Sequence, residues 1–288
     1  MTAQLIDGKK VAADIRAKLK TEIEELKSKG IHPGLAVVLV GENPASQKYV
    51  AAKEKACAEI GVASFVHKIP ATTTQPELIK LIDRLNNDTK ANGILVQLPL
   101  PKGLDEKEVM NRISPVKDVD GFGPDALGKL VLDEPGFVAC TPNGAMKMLE
   151  AYGIDPKGKH AVIIGRSVIV GKPLALLLLR KHATVTICHS RTPNLKEECL
   201  RADILCVAVG KAKTITGDMV KEGAAVIDIG INVTPEGKIV GDVDFEAVKE
   251  RAGYITPVPG GAGPMTIAML MYNTVLAAKM AAGMEVEI

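Results

Sequence analysis

The first candidate for chemistry is a lysine on a predicted helix near the start of the chain. A helix is predicted over residues 44–60, with proline at its first position. Ser46, Tyr49 and Lys53 lie at i, i+3 and i+7, so they share one face of that helix. A lysine in a cleft can lose its proton through desolvation and then act as a general base. The alternative is a solvated surface lysine, which is the usual case on a helix.

A second candidate is the stretch 254–266, which is stiff and also poor in side chains. Its prolines restrict the backbone, and its glycines lack Cβ atoms, so a flat ligand could lie against the peptide plane. The alternative is a tight connection into the last helix, which is predicted over 265–282. The prolines are Pro257, Pro259 and Pro264, and the glycines are Gly260, Gly261 and Gly263.

A third candidate is a nucleotide-binding turn in the second half of the chain. Residues 161–174 read as strand, turn and helix, with Gly165 and Gly171 in the turn. In a βαβ unit the pyrophosphate of a dinucleotide lies at the N-terminus of such a helix. The spacing departs from the usual G-x-G-x-x-G pattern, so an ordinary βα turn is the alternative.

The end of the next predicted strand favours NADP over NAD. NAD-binding folds of this type usually carry an acidic residue there, which accepts the ribose hydroxyls. This chain has Ser190 and Arg191 instead, and Arg166 lies in the first turn. Two arginines and a serine would suit a 2′-phosphate, although each arginine has the alternative of being a solvated surface charge.

Two further polar residues lie in positions that are unremarkable alone. Gln97 is at the carboxyl end of a strand predicted over 93–98, and Asp120 is in the segment 117–121, Lys-Asp-Val-Asp-Gly. From pattern alone, the sequence indicates an NADP-dependent enzyme with a second, substrate-binding domain.

The elements that must position these residues alternate between helix and strand, which predicts an α/β protein with mainly parallel sheets. Residues 102–141 are rich in Gly, Pro and Asp and are interpreted as irregular, with a domain boundary among them. Strands are predicted over 35–40, 62–69, 93–98, 160–164, 184–188, 204–209, 225–229, 238–240 and 254–256. Helices are predicted over 7–29, 44–60, 75–90, 142–152 and 265–282.

Composition sets outer limits on function. The 288 residues carry a net charge of +2, which argues against a nucleic-acid surface. No apolar run is long enough to cross a bilayer, and no secretory leader is visible, so we expect a cytoplasmic protein without a membrane partner. The five cysteines are scattered, which fits reduced thiols, and no zinc-ligand spacing appears, so no metal is expected.

Five motifs follow one another along nearly the whole chain. They are Val-Gly-Glu-Asn-Pro-Ala-Ser at 40–46 with Tyr49 and Lys53, Gln-Leu-Pro-Leu-Pro at 97–101, Lys-Asp-Val-Asp-Gly at 117–121, Gly-Arg-Ser at 165–167 with Val-Gly at 170–171, and Pro-Val-Pro-Gly-Gly-Ala-Gly-Pro-Met-Thr at 257–266. Together they resemble the motifs of the bifunctional methylenetetrahydrofolate dehydrogenase/methenyltetrahydrofolate cyclohydrolase family. One departure is Ala262, where valine is expected.

The resemblance implies oxidation of methylene-tetrahydrofolate with NADP⁺, then hydrolysis of the methenyl product to formyl-tetrahydrofolate, by a homodimer. It implies a folate-binding catalytic domain of residues 1–140 with 265–288 and a Rossmann-type NADP domain of 141–264. Lys53 would be the central catalytic residue, acting with Gln97, Tyr49 and Asp120. Folate would also contact Val96, Leu98, Pro259, Gly260, Gly261, Gly263 and Pro264. NADP would contact Gly165, Arg166, Ser167, Ser190, Arg191 and Ile231.

Two alternatives stay open from the sequence. A two-domain NADP dehydrogenase of another small substrate, similar to shikimate dehydrogenase, would share the architecture but would need a Lys–Asp pair at a secondary alcohol. A non-catalytic NADP-binding module would explain the second half of the chain. It would leave Tyr49, Lys53, Gln97 and Asp120 without a role.

Overall fold

The computed structural model describes residues 2–286 and contains two separate parallel β-sheets with helices between their strands. The strands are β1 (Gln4–Leu5), β2 (Gly34–Val40), β3 (Ala63–Ile69), β4 (Gly93–Val96), β5 (His160–Ile164), β6 (Thr184–Cys188), β7 (Ile204–Val207), β8 (Ala225–Asp228), β9 (Asn232–Val233), β10 (Ile239–Val240) and β11 (Tyr254–Ile255). The α/β class predicted from the sequence is confirmed.

The α-helices alternate with these strands along most of the chain. They are α1 (Gly8–Ser28), α2 (Pro44–Ile60), α3 (Gln75–Asn87), α4 (Glu106–Arg112), α5 (Pro124–Val131), α6 (Cys140–Ala151), α7 (Gly171–Arg180), α8 (Leu195–Leu200), α9 (Phe245–Lys249) and α10 (Ala262–Ala281). Among the described residues, no helix is both long and apolar enough to cross a membrane.

The chain divides into two compact units, each built around one sheet. The three-stranded unit comprises Asp14–Cys140 and Ile267–Ile288. The six-stranded unit comprises Met1–Ala13 and Thr141–Thr266. The first residues of the chain therefore belong to the unit of the later strands, because β1 pairs in parallel with β11 through Gln4 and Tyr254.

The three-stranded unit has the strand order β3-β2-β4, with all pairs parallel. Every residue of the central strand β2 is buried, as expected for a parallel strand covered on both faces. Helix α2 begins soon after β2, where the side chain of Asn43 caps it by accepting hydrogen bonds from the backbone N–H groups of Ala45 and Ser46. Gly61, at φ 86°, ends that helix in the left-handed region.

The six-stranded unit has the strand order β1-β11-β8-β7-β5-β6, again with all pairs parallel, and β9 and β10 form a small antiparallel pair beside it. Its apolar core lies under β5, β7 and β8. Since β5, β7 and β8 run in the same direction, their carboxyl ends lie at one edge of the sheet.

The interpretation of residues 102–141 as irregular is wrong over two short stretches. Helix α4 begins after Asp105, whose side chain accepts from the N–H groups of Lys107 and Glu108. Helix α5 begins with Pro124 and buries Ala126 and Leu130. These helices have seven and eight residues, too few turns for a clear apolar period in a Gly- and Pro-rich stretch.

Candidate active site

Lys53 lies on the buried side of α2, with only 9% of its surface exposed. Its Nζ donates a hydrogen bond of 3.0 Å to Oε1 of Gln97. Gln97 follows the end of β4, and its Nε2 donates to the carbonyl of Leu98 at 2.7 Å, which fixes Oε1 toward the lysine. The helix and the strand end that the sequence singled out therefore bring this pair together.

Asp120 is the third member of this cluster and is also 9% exposed. Burial lowers the pKa of Lys53, and the nearby charge of Asp120 opposes that shift without reversing it. Burial likewise raises the pKa of Asp120 to about 6, against the attraction of Lys53. Desolvation thus dominates for both groups, and it favours a neutral amine beside the carboxyl group.

The segment that carries Asp120 is held against β4 and α10. Asp118 forms a single parallel bridge with Ile94, and Gly93 has no Cβ, which would collide with Val119. Nδ2 of Asn273, on α10, donates to the carbonyl of Val119 at 2.8 Å and to that of Val138 at 3.0 Å. The backbone just before Asp120 is therefore tied to β4 and to α10.

Two residues near this cluster are not among the site residues predicted from the sequence. Cys140 is buried close enough to interact electrostatically with Asp120 and Lys53, and burial raises its thiol pKa well above the usual range. Asp118 is 3% exposed and accepts from the N–H of Gly123 at 2.7 Å. Asp118 could have been noted, because it lies in the same motif as Asp120. Cys140 gave no sequence signal, since its neighbours in the site are distant along the chain.

Other predicted folate contacts differ in exposure. Tyr49 is 43% exposed, whereas Ser46 on the same predicted face is buried at 3%. Val96 is buried in β4, and Leu98 is half-buried just beyond Gln97. Of these residues, Tyr49 offers the most surface to a ligand.

The Pro/Gly loop lies in the six-stranded unit and leads into α10, which begins at Ala262 rather than at the predicted residue 265. Gly261 is buried, and a Cβ on it would lie 2.8 Å from both the Pro257 carbonyl oxygen and the Thr256 side chain. The missing side chain of Gly261 thus serves chain packing first. Gly263, by contrast, has open space where a Cβ would be.

The nucleotide-binding turn follows β5 in the same unit. Gly165 has φ 131°, and a Cβ there would collide with the carbonyl of Ala208. A Cβ on Gly171 would likewise meet the Gly165 carbonyl. Oγ of Ser167 accepts from the N–H groups of Val170 and Gly171 at 3.1 and 3.4 Å, which closes the turn onto α7.

The side chains at the surrounding strand ends are exposed. Arg166 and Ser167 in the turn, Ser190 and Arg191 after β6, and Ile231 after β8 all face solvent. The glycine-lined turn carries Arg166 at the start of a ten-residue helix, and the end of β6 is followed by Arg191 and by no acidic residue. This arrangement fits a dinucleotide that carries a 2′-phosphate. No group of three or more His, Cys, Asp or Glu within residues 2–286 is arranged to hold a metal ion.

Both halves of the chain match models of one protein family. Residues 6–120 match the catalytic domain of tetrahydrofolate dehydrogenase/cyclohydrolase, and residues 139–282 match its NAD(P)-binding domain. The chain belongs to this family. The lysine–glutamine–aspartate cluster falls within its catalytic domain, and the glycine turn falls within its NAD(P)-binding domain.

Similar proteins agree along nearly the full length. The bifunctional protein FolD of Moorella thermoacetica is 62% identical over 279 residues, which is 97% of this chain and 100% of the relative. That of Thermodesulfovibrio yellowstonii is 60% identical over 97% of this chain and 98% of the relative. These matches favour a bifunctional enzyme over both alternatives, the shikimate-type dehydrogenase and the non-catalytic module.

Solved structures give the same result. The bifunctional FolD methylenetetrahydrofolate dehydrogenase/cyclohydrolase of Campylobacter jejuni has a TM-score of 0.95 at 53% identity, covering 96% of this chain and 99% of that chain. The Trypanosoma brucei N5,N10-methylenetetrahydrofolate dehydrogenase-cyclohydrolase, solved with NADP cofactor and an inhibitor, has a TM-score of 0.93 at 38% identity, covering 98% of this chain and 99% of that chain.

Proposed function

We propose that this chain oxidises methylene-tetrahydrofolate with NADP⁺ and then hydrolyses the methenyl product to formyl-tetrahydrofolate, with Lys53 as the central residue. The bifunctional dehydrogenase and cyclohydrolase activity follows from its family and its close relatives. The observation that carries the role of Lys53 is its burial, with Nζ bonded to Gln97 and with Asp120 nearby.

A neutral Lys53 serves both reactions. Oxidation leaves a positive charge on the folate, which an adjacent ammonium group would oppose, so a lowered lysine pKa favours this step. In the hydrolytic step the neutral amine accepts a proton from the water that attacks the methenyl carbon. Since Nζ donates one hydrogen to Gln97, the orientation of the amine lone pair is restrained.

Asp120 is proposed to bind the pterin ring. Its carboxylate offers two acceptor oxygens, and the pterin edge offers parallel N–H donors, which permits a bidentate match. With a pKa of about 6, Asp120 is mainly ionised at neutral pH and can accept both bonds. We assign the remaining folate contacts to Tyr49, Val96, Leu98, Pro259, Gly260, Gly261, Gly263 and Pro264.

Gly165, Arg166, Ser167, Ser190, Arg191 and Ile231 are proposed to hold NADP. When bound, the nicotinamide accepts the hydride that the methylene carbon loses. The catalytic domain is proposed to comprise residues 1–140 with 265–288, and the NADP domain 141–264, although residues 2–13 belong to the compact unit of the six-stranded sheet.

The direct test is a spectrophotometric assay of the purified protein with methylene-tetrahydrofolate, run with NADP⁺ and NAD⁺ in parallel. We expect reduction of NADP⁺, followed by loss of methenyl absorbance faster than in buffer. Reduction without faster loss would contradict the hydrolytic role of Lys53. Reduction of neither nucleotide would contradict the dehydrogenase assignment.

The choice of NADP is tested by removing its proposed phosphate contacts. Replacing either Arg166 or Ser190 by alanine should lower the preference for NADP⁺ over NAD⁺. For Arg166→Ala we expect a decrease of about 10- to 100-fold, because a hydrogen bond to a charged group contributes roughly 1.5–3 kcal/mol. Lys181→Ala, at the opposite end of α7, is the matched control for loss of a surface charge. An unchanged preference in Arg166→Ala would refute the phosphate site.

We also propose that the protein is a cytoplasmic homodimer. Strand β6 is an outer strand of its sheet. Ile187 on this strand is 41% exposed, and Leu179 on the adjacent helix α7 is 58% exposed. An outer strand with exposed apolar side chains favours pairing with a second copy. Light scattering should give the mass of two chains, and Ile187→Lys should shift it toward one. A single-chain mass for the unaltered protein would contradict this proposal.

A further inference from the structure

Two carboxylates are buried beneath the nucleotide-side edge of the six-stranded sheet, and neither belongs to the sites above. Asp228, the last residue of β8, is 3% exposed, and Asp242, just after β10, is fully buried. Burying a carboxylate is costly unless hydrogen bonds compensate it. The groups that bond to these two side chains therefore indicate what they do.

Asp242 is surrounded by four donors. Its Oδ2 accepts from the N–H groups of Val209 and Gly210 at 2.6 and 2.9 Å. Its Oδ1 accepts from the N–H of Lys211 and from Nδ2 of Asn232, each at 2.9 Å. Three consecutive amides that converge on one anion form a backbone nest, so the loop 209–211 is folded around this carboxylate.

Asp228 in turn holds Asp242. Its Oδ1 accepts from the N–H of Asp242 and from that of Gly230, each at 3.0 Å, and its Oδ2 accepts from Val243 at 2.9 Å. Burial raises the pKa of Asp228 to about 6, so it is ionised at neutral pH and accepts all three bonds.

Two glycines make room for the carboxylates. A Cβ on Gly230 would overlap the carboxylate of Asp242, and a Cβ on Gly241 would overlap that of Asp228. The loop 229–232 and the strand connection at 241–243 are thus interlocked through two buried side chains. Such an arrangement leaves the loops few alternative conformations.

The loops that these carboxylates hold are themselves exposed. Residues 209–211 follow β7 and residues 229–232 follow β8, at the edge where ligands bind to open parallel sheets. Val209 is 38% exposed and Ile231 is 47% exposed. The nucleotide turn is adjacent, since a Cβ on Gly165 would meet the carbonyl of Ala208.

We propose that Asp242, held in place by Asp228, is a positioning residue that fixes the loops 209–211 and 229–232 in the conformation that receives NADP. This inference rests on the proposed function, because it assumes that the edge binds NADP. Without the carboxylate, three amides lose their acceptor, and the loops must be reordered when the nucleotide binds. The affinity for nucleotide falls in proportion to the fraction of molecules with competent loops.

The test compares Asp242→Asn with the unaltered protein in three measurements. NADPH binding is followed by its fluorescence, hydrogen exchange reports the amides of 209–211 in the nucleotide-free protein, and the cyclohydrolase rate is measured with methenyl-tetrahydrofolate supplied directly. We expect the NADPH Kd to rise at least about ten-fold, which corresponds to a binding-competent loop conformation in about a tenth of the molecules. Exchange should accelerate, and hydrolysis, which consumes no nucleotide, should stay within about two-fold.

Asp203→Asn is the matched control. Asp203 precedes β7 at the other edge of the sheet, where it accepts from the N–H of His160 at 2.9 Å and pairs with Lys221. That variant should bind NADPH as the unaltered protein does. If Asp242→Asn fails to fold, Asn232→Ala replaces it, since it removes one of the four donors and should raise the Kd by about three-fold with faster loop exchange.

The outcomes separate the two proposals. An unaltered protein that does not bind NADPH would refute the proposed NADP function. An unaltered protein that binds, with an unchanged Kd in Asp242→Asn, or in Asn232→Ala where that variant replaces it, would refute the positioning role alone. A loss of cyclohydrolase as large as the loss of NADPH affinity would also refute it, because the effect would then be a general loss of structure.

Discussion

At the scale of single residues, the environment of Lys53 differs most from that of an ordinary lysine. Its place on α2 could be predicted from the sequence, as could the strand end that carries Gln97. Their hydrogen bond could not be derived from the residue pattern, because it joins a helix residue to a strand-end residue 44 positions away. The burial that lowers the lysine pKa arises from that same packing.

Charge at position 97 should control the protonation of Lys53. In Gln97→Glu the new carboxylate lies beside Nζ, so it raises the lysine pKa and leaves less neutral amine at pH 7. The cyclohydrolase rate should therefore fall at neutral pH and recover as the pH rises through the new pKa. The pH–rate profile of the variant, measured beside that of the unaltered protein, checks this.

Gln97→Leu is the control for the loss of the amide. It removes the acceptor without adding charge, so its rate should fall at every pH and should not recover in alkali. If the acid limb of the profile lies at the same pH in all three proteins, the base that limits hydrolysis is not Lys53.

At the scale of elements, α10 supports the site without contributing a proposed catalytic group. Asn273→Leu would leave the buried carbonyl of Val119 and the part-buried carbonyl of Val138 without their donor. The loss at Val119 alone should cost about 1–3 kcal/mol in the free energy of unfolding. Because Asp120 follows Val119, the KM for folate should rise as well. Urea unfolding and folate kinetics measure the two effects.

Thr274→Val is the matched variant on the same helix. Thr274 is buried too, but its Oγ1 donates only to the Leu270 carbonyl of its own helix. We expect a smaller loss of stability and an unchanged KM. Equal changes in KM for the two variants would show that Asn273 has no specific role in holding Asp120.

The elements that could be predicted are those with a strong local signal. The bounds of β5 match the prediction because it is an apolar run that ends at a glycine turn, and those of β6 match because it consists mainly of β-branched residues, which favour strands. Helix α2 matches because its cap and its glycine stop are local in sequence. Strand β1 was missed, since it has two residues and pairs only with β11 near the other end of the chain. The Asp228–Asp242 pair was missed because its two residues are 14 positions apart and are brought together only by the folded loops between them.

At the scale of the whole molecule, buried carboxylates make stability depend on pH in an unusual direction. The folded-state pKa of Asp228 is about 6, above its ordinary value of 3.8. Between those values the folded state holds a proton that the unfolded state has lost, so the contribution of Asp228 to stability is present at low pH. It is lost as the pH rises through 6.

Asp228→Asn should remove this pH dependence. Relative to the variant, the unaltered protein should gain about 2–3 kcal/mol in the free energy of unfolding as the pH falls from about 7 to about 4, since one pKa unit corresponds to about 1.4 kcal/mol. Urea unfolding at several pH values measures the difference. Asp203, whose pKa is lowered by its bond to Lys221, is the control, because its contribution changes only at more acidic pH. Parallel profiles for the unaltered protein and Asp228→Asn would contradict the assignment.

The measurement that tests the central claim most directly is the decay of methenyl-tetrahydrofolate absorbance with Lys53→Ala. We predict a cyclohydrolase rate at least about 100-fold lower than that of the unaltered protein, the range expected for loss of a general base. NADPH affinity should be unchanged, and Lys55→Ala, an exposed lysine on the same helix, should keep the full rate. Hydrolysis by Lys53→Ala at the rate of the unaltered protein would contradict the proposed function of this site.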